Sequence, residues 1–115
     1  MAIRAYFVPI SILLFLHISL AQAAEFTGRV VSVKDGDTIE VLHNKTPERI
    51  RLTGIDCPEK KQAFGQRAKQ ATSTLSFGQQ VTIQRTGKDR YGRTLAAVVL
   101  PNGRSLNHEL VKDGW

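Results

Sequence analysis

Two short runs near residues 26–42 show the apolar and polar alternation of β-strands. FTGRVVSV (26–33) and TIEVL (38–42) are rich in β-branched residues, and much of each run places apolar side chains at every second position. Between them, KDGD carries the Asp-Gly pair that is typical of a tight turn. The pattern therefore predicts a β-hairpin.

A third strand is predicted in ERIRLTGI (48–55), where the two faces differ in character. Ile50 and Leu52 fall on one face, and the opposite face carries Arg49, Arg51 and Thr53. The first face is suited to a core and the second to solvent or a charged ligand.

The period then changes from that of a strand to that of a helix. From about Gln62 to Leu75, the residues Phe64, Ala68 and Ala71 fall with Leu75 on one helical stripe. This stripe predicts a helix that packs on the sheet through these four side chains.

The remaining elements are two strands and a second helix. QQVTIQR (79–85) and TLAAVVL (94–100) predict the fourth and fifth strands, and Pro101-Asn102-Gly103 predicts a turn. SLNHELVKDG (105–114) predicts a helix with Ser105 as its N-cap. Three strands, a helix, two strands and a helix favour a mainly β, five-stranded Greek-key barrel of OB type over a parallel α/β sheet.

Residues 1–23 have the order of a secretory signal peptide. A basic start is followed by an apolar run and by small residues at a cleavage spacing, Ala21 and Ala23. The alternative is a membrane anchor, but the run is shorter than the ~20 residues of a membrane span, and Pro9 and His17 interrupt it. We expect export and cleavage after Ala23.

Cleavage leaves one small domain, residues 24–115. Cys57 is the only cysteine of the chain, so an intramolecular disulfide is excluded and the exported domain depends on its core. The position of Cys57 far from the cleavage site also argues against a lipoprotein anchor.

The mature chain is basic, with 15 Lys and Arg against 10 Asp and Glu. Two clusters carry much of the excess: Lys60, Lys61, Arg67 and Lys69, and Arg85, Lys88, Arg90 and Arg93. One such cluster is usually a solvated face. Two clusters that flank acidic motifs favour an anionic partner, with nucleic acid ahead of a membrane surface.

Asp37 is the first candidate for chemistry. In DGDTIEV it shares side-chain parity with Ile39 and Val41, which predicts an inward position at the end of a strand. A carboxylate there is costly unless it is paired or bound to a metal. The alternative is a turn aspartate beside Asp35, with both accepting backbone N–H bonds.

The stretch RLTGIDCPEK, residues 51–60, contains further candidates. Asp56 and Glu59, with Pro58 between them, resemble a capping box, although the apolar stripe begins only at Phe64 and favours a loop here. Arg51 taken alone could be a solvated strand residue. DRYGR (89–93) could be only the turn into the fifth strand.

Taken together, DGDTIEV, RLTGIDCPE and DRYGRTLA resemble the pattern of the staphylococcal-nuclease-like family, over about Phe26 to Trp115. The resemblance implies an OB barrel with helices, in agreement with the element order. It also implies Ca²⁺-dependent hydrolysis of DNA and RNA phosphodiesters to give 3′-phosphates.

The resemblance also assigns roles to residues by position. It implies Ca²⁺ carboxylates at Asp37 and Asp56, a backbone-carbonyl ligand at Cys57, and a general base at Glu59. It implies phosphate-binding arginines at Arg51 and Arg93. A thiol nucleophile at Cys57 is disfavoured because the local motif has no histidine, and His43 and His108 lie outside every motif.

These residue types suit the implied reaction. Hard oxygen ligands suit Ca²⁺, a carboxylate can orient and deprotonate a water, and planar guanidinium groups match phosphate oxygens in a way that lysine does not.

Two departures from the family pattern stand out. The link between Glu59 and the following helix is short, and the chain stops at Trp115 where the family implies a further helix. We expect a fragment or a natural truncation.

The leading hypothesis is a monomeric, secreted or periplasmic Ca²⁺-dependent nuclease that has no stable membrane association after signal cleavage. The alternatives are a non-catalytic nucleic-acid-binding OB module and, with less support, an exported structural domain that binds polyanions.

Overall fold

The computed structural model describes residues 24–55 and 64–115. The predicted signal peptide, residues 1–23, lies outside the described residues. Residues 56–63 also lie outside them, and with them the predicted roles of Asp56, Cys57 and Glu59.

The described residues form five strands and two helices in the predicted order. The strands are β1 (Glu25–Asp35), β2 (Thr38–His43), β3 (Thr46–Leu52), β4 (Gln80–Lys88) and β5 (Thr94–Val99), and the helices are α1 (Gly65–Ser76) and α2 (Leu106–Lys112).

The strands close into a barrel in the order β1-β2-β3-β5-β4. β1 also pairs with β4, and every pairing is antiparallel except that of β3 with β5. This arrangement confirms the predicted five-stranded OB-type barrel with a helix after the third strand.

Inward side chains from all five strands fill the barrel, and both helices add to the same core. Its fully buried members include Val30, Ile39, Ile50, Leu52, Ile83, Val98, Leu106 and Leu110. Gly28 allows β1 and β2 to come close, because a Cβ at this position would lie 2.2 Å from the carbonyl oxygen of Leu42. The alternation seen in the sequence thus predicted the inward face correctly.

Tight turns connect the first three strands. Asp35 pairs with Thr38, which leaves Gly36 and Asp37 as the predicted turn. The next hairpin turns at Asn44 and Lys45, both in the left-handed region with φ of 50° and 69°.

The third strand ends at Leu52, short of the predicted Ile55. The chain turns at Gly54, whose φ of 78° is a left-handed conformation that glycine adopts readily.

The predicted contact face of the first helix was wrong in part. Phe64 precedes α1 with φ of 68° and is 61% exposed. Ala68 is fully buried, and Ala71 and Leu75 pack against the core, all three as predicted. The other buried helix positions are the small or polar Gly65, Thr72 and Ser76. Small side chains let the helix approach the sheet closely, so the aromatic ring at its start has no place in the interface.

α2 begins at its predicted N-cap, where the Ser105 side chain accepts a hydrogen bond from the backbone N–H of His108. Its buried Asn107 accepts from the N–H of Val98 at 3.0 Å. The same side chain donates to the carbonyl oxygens of Thr53 at 2.8 Å and Ala96 at 3.2 Å. One amide thus joins α2, β5 and the segment after β3.

Within the described ranges, none of the helices is long and apolar enough to cross a membrane.

A polar network fills one end of the barrel with one residue from each strand. The carboxylate of Glu48 accepts from Arg85 Nη2 at 2.9 Å and from the Thr94 hydroxyl at 2.7 Å, and it lies 3.1 Å from His43 Nδ1. The Phe26 ring stacks on His43 with centroids 4.0 Å apart, and Arg85 lies over it at 4.5 Å. Partial burial alone would raise the pKa of Glu48, but hydrogen bonds from Arg85, Thr94 and His43 outweigh it and lower the pKa from 4.5 to about 2.

We therefore predict that Glu48→Gln destabilises the barrel in a pH-dependent way. The pKa is depressed in the folded state, so the charge contributes stability above pH 4.5, and this contribution is lost as the pH falls toward 2. At pH 7 we expect a loss of about 1–2 kcal/mol in the free energy of unfolding, since the group keeps part of its solvent. Urea denaturation at pH 7, 4 and 3 measures the difference.

The matched control is Glu40→Gln, because Glu40 pairs with the exposed side chains of Lys34 and Arg49 and should cost less. A Glu48→Gln effect that is equal at pH 7 and pH 3 would contradict the assigned charge.

Candidate active site

Asp37 lies in the turn between β1 and β2, and its side chain is 15% exposed. One carboxylate oxygen accepts the Thr38 hydroxyl at 2.9 Å, and the other lies 3.5 Å from Arg51 Nη2. The inward strand position predicted from parity was wrong in detail, because the residue belongs to the turn. The carboxylate is nonetheless half-buried and paired with a cation, as its cost of burial requires.

The turn that carries Asp37 is held from two sides. The Thr72 hydroxyl of α1 donates to the carbonyl oxygen of Gly36 at 2.5 Å, and Thr72 is fully buried. The carbonyl oxygen of Asp37 accepts the N–H of Leu52 at 2.8 Å. The backbone at Asp37 is therefore fixed by α1 and by the end of β3.

Arg51 lies on the outward face of β3, as predicted, and its guanidinium group contacts three groups. Nη2 lies near Asp37, while Nη1 donates to the carbonyl oxygens of Leu52 at 2.6 Å and Ile55 at 3.0 Å. Arg51 therefore connects the β1–β2 turn to the segment after β3, which leads directly to Asp56.

Arg93 is brought to the same face by the parallel pairing of β3 with β5. Ile50 pairs with Thr94 and Arg51 with Leu95, and the side chains of Ile50 and Thr94 are both buried. Arg93, one residue before Thr94, therefore leaves the barrel on the outward side, one strand away from Arg51 and two residues along. By this register, the backbones of the two predicted phosphate-binding arginines lie one strand and two residues apart.

A carboxylate in the β4–β5 turn holds Arg93. Asp89 Oδ2 accepts from Arg93 Nε at 2.7 Å, and Oδ1 accepts from the backbone N–H groups of Tyr91 and Arg93. Partial desolvation would raise the pKa of Asp89, but the hydrogen bonds from the Arg93 backbone and side chain and from the Tyr91 backbone lower it. The hydrogen bond to Asp89 uses Nε of Arg93, and a guanidinium group carries four further N–H donors on Nη1 and Nη2.

The donor chemistry of Asp37 fits a hard cation such as Ca²⁺, which takes carboxylate and carbonyl oxygens. Among the residues that the structure describes, no group of three or more His, Cys, Asp or Glu side chains forms a metal site. The other predicted ligands, Asp56 and Cys57, follow Ile55 directly, and the Ile55 carbonyl is held by Arg51. Of the three predicted ligands, only Asp37 lies in the described residues, and its carboxylate is a ligand type that suits Ca²⁺.

Several supporting residues were not identified from the sequence. Asp89 had a detectable signal, an acid four residues before Arg93 in a glycine-containing turn. Glu48 shares strand parity with Ile50 and Leu52, which indicates an inward carboxylate. Thr72 had no such signal, because its partner is a backbone carbonyl distant in sequence.

The histidines stay outside this site. His43 belongs to the Glu48 network, and His108 is exposed on α2. Neither contacts Asp37, Arg51 or Arg93 in the hydrogen bonds and ion pairs found between residues 24–55 and 64–115.

Comparison with known proteins gives one family. Residues 49–115 match the family model described as staphylococcal nuclease homologue. The chain is 49% identical over 86 residues to a micrococcal nuclease of Shigella flexneri, covering 75% of this chain and 49% of that one. It is 42% identical over 105 residues to an uncharacterized endonuclease of Escherichia coli O157:H7, covering 91% and 69%. A thermonuclease of Staphylococcus hyicus is 37% identical over 109 residues, covering 87% and 63%.

The chain spans between 49% and 69% of the length of these three relatives. The family match includes Arg51, Arg93 and Asp89, and it covers the end of β3 from Arg49, both helices, β4 and β5. With a closed five-stranded barrel and the sequence motifs in agreement, the chain belongs to the staphylococcal nuclease family.

Proposed function

We propose that this protein is a Ca²⁺-dependent nuclease that hydrolyses DNA and RNA and leaves 3′-phosphates. The observation that supports it best is the pairing of Arg51 with the half-buried carboxylate of Asp37, together with the β3–β5 register that brings Arg93 to the neighbouring strand. The names of the relatives, which include nuclease, endonuclease and thermonuclease, support the same reaction class.

The two arginines bind the phosphate. Each guanidinium group is held by a carboxylate, Arg51 by Asp37 and Arg93 by Asp89, so little conformational freedom is lost when the substrate arrives. Two guanidinium groups present planar sets of donors to the phosphoryl oxygens and stabilise the negative charge that builds there during attack.

Asp37, Asp56 and the carbonyl of Cys57 hold the cation in this proposal. When bound, Ca²⁺ supplies positive charge near the phosphate and lowers the cost of bringing an anion and a nucleophile together.

Glu59 is the general base in this proposal. It accepts a proton from the attacking water, whose oxygen forms a bond to phosphorus while the bond from phosphorus to the 5′-oxygen breaks. The departing 5′-oxygen takes a proton from solvent, because arginine with a pKa above ~12 is a poor acid.

The proposal extends to cell location and assembly. Residues 1–23 have the signal-peptide pattern, which supports export to the periplasm or medium and the absence of a membrane anchor after cleavage. We also propose that the protein is a monomer.

Plasmid digestion tests the reaction. The protein is incubated with supercoiled DNA in Ca²⁺, in Mg²⁺ and with a chelator, and product ends are typed by phosphatase sensitivity. We expect cleavage in Ca²⁺ alone and phosphatase-sensitive 3′ ends. Binding without cleavage in Ca²⁺ would instead identify a non-catalytic nucleic-acid-binding module.

The metal ligands are tested by calorimetry. Asp37→Asn and Asp56→Asn should each weaken Ca²⁺ binding by at least about tenfold, because each removes a charged oxygen ligand. Asp113→Asn, at the exposed end of α2, is the matched control and should leave the affinity unchanged. Unchanged Ca²⁺ affinity in both site variants would remove these residues from the metal site.

The general base is tested by kinetics. Glu59→Gln should lower kcat by at least ~10²-fold and leave Ca²⁺ binding in place, because a positioned base contributes a factor of this size. Glu25→Gln, at the exposed start of β1, controls for loss of a surface charge. Turnover of Glu59→Gln near that of the unmodified protein would return Glu59 to the helix-capping role.

A further inference from the structure

A third arginine lies on the same outward face as the two arginines of the site. Arg49 precedes Arg51 by two residues on β3, so both side chains leave the barrel on the same side about 6.6 Å apart along the strand. The Arg49 side chain is 52% exposed.

Extending the β3–β5 register by one residue brings the backbone of Arg49 next to that of Arg93. The first pair of the β3–β5 ladder is Ile50 with Thr94. Arg49 precedes Ile50 within β3, and Arg93 is the last residue before β5 begins. Arg49 therefore has Arg51 two residues further along β3, and the start of β5 on the neighbouring strand. It is farther than Arg51 from the turn that carries Asp37.

The charge around Arg49 leaves it available to an anion. Its only salt bridge in the described part of the chain is to Glu40, at 3.6 Å between Nη2 and Oε2, which is outside hydrogen-bonding distance. Glu40 is shared with Lys34, at 3.3 Å. One carboxylate thus faces two cations, and a phosphate that approaches Arg49 meets a net positive surface with few contacts to break.

The alternative is that Arg49 only belongs to a row of surface ion pairs across β1, β2 and β3, an arrangement that contributes little to stability. That account explains the pairing of Arg49 with Glu40, its register partner on β2. It does not explain why Arg49 shares the outward face of β3 with Arg51 while its side chain stays exposed to solvent.

We propose that Arg49 binds a backbone phosphate next to the scissile one and so selects polynucleotides over substrates with a single phosphodiester. This inference rests on the proposed function for the identity of the scissile site. The distance of two strand residues between Arg49 and Arg51 is of the same order as the distance between successive phosphates of a nucleic-acid strand. Arg49 is a substrate-positioning residue and takes no part in the bond changes.

Binding without catalysis gives the first test. A fluorescent single-stranded oligonucleotide is titrated with the full chain in chelator, and anisotropy is measured over a range of NaCl concentrations. Arg49→Gln should weaken binding about five- to tenfold at low salt and reduce the slope of log K against log[salt] by about 0.7, the value for one lost phosphate contact on a single strand. Arg49→Lys should keep most of the slope, because it retains the charge.

The matched control is Arg104→Gln. Arg104 is also an exposed arginine with one carboxylate partner, Glu109 at 3.9 Å, but it lies before α2 and away from β3. Its slope should equal that of the unmodified protein. Equal slopes for Arg49→Gln and Arg104→Gln would overturn the inference.

Hydrolysis gives the second test, with Ca²⁺ present. Arg49→Gln should lower kcat/KM for an oligonucleotide about five- to tenfold through KM, and should leave kcat/KM for a dinucleotide unchanged. An equal loss on both substrates would place Arg49 at the scissile phosphate and contradict the proposed role.

The two tests separate this inference from the proposed function. Absence of hydrolysis by the unmodified protein would refute the proposed nuclease function. The slope of log K against log[salt] would still decide whether Arg49 contacts a phosphate. Thermal unfolding by circular dichroism confirms that each variant is folded before either measurement.

Discussion

The parallel pairing of β3 with β5 is the contact on which the rest of the molecule depends. It is the only parallel pair of the described barrel, and it closes the sheet that four antiparallel pairings leave open. The same pairing buries Ile50 and Thr94 side by side and turns Arg51 and Arg93 outward together. Because strand parity is fixed by the pleat, one register determines both the closure of the core and the arginine face.

Acids hold the arginines of that face in a repeated arrangement. Arg51 pairs with Asp37, Arg93 with Asp89 and Arg49 with Glu40. The pairs differ in closeness, from 2.7 Å at Asp89 to 3.5 Å at Asp37 and 3.6 Å at Glu40. The Asp89 pair fixes the orientation of Arg93, and the carbonyl oxygens of Leu52 and Ile55 fix that of Arg51. The Arg49 pair, at 3.6 Å, mainly balances charge.

The two ends of the barrel have different chemistry. At one end the inward Glu48 joins side chains from β2, β4 and β5 and stays ionised. At the other end, Thr72 and the N–H of Leu52 hold the backbone of the Asp37 turn. The Glu48 network contributes stability, and one of its members, Thr94, directly follows Arg93 in the chain. The contacts of Thr72 and Leu52 fix the turn that carries the Asp37 carboxylate.

The sequence by itself determined the order of the elements, the inward residues of the strands and the outward position of Arg51. These follow from local rules, the period of two in strands and the chemistry of Asp-Gly turns. The motifs also predicted the family, which the comparisons confirm. The roles of Asp56, Cys57 and Glu59 stay predictions.

Only the tertiary structure decided which polar groups meet. The stripe of α1 predicted the contacts of Ala68, Ala71 and Leu75 but not the exposure of Phe64, because the close approach of the helix to the sheet favours the smaller Gly65 and Thr72. The partners of Thr72, Asn107 and Glu48 are backbone or side-chain groups distant in sequence. Hydrophobic period specifies which face of an element is buried, but hydrogen-bond partners depend on strand register and helix placement, which are set only when the barrel closes.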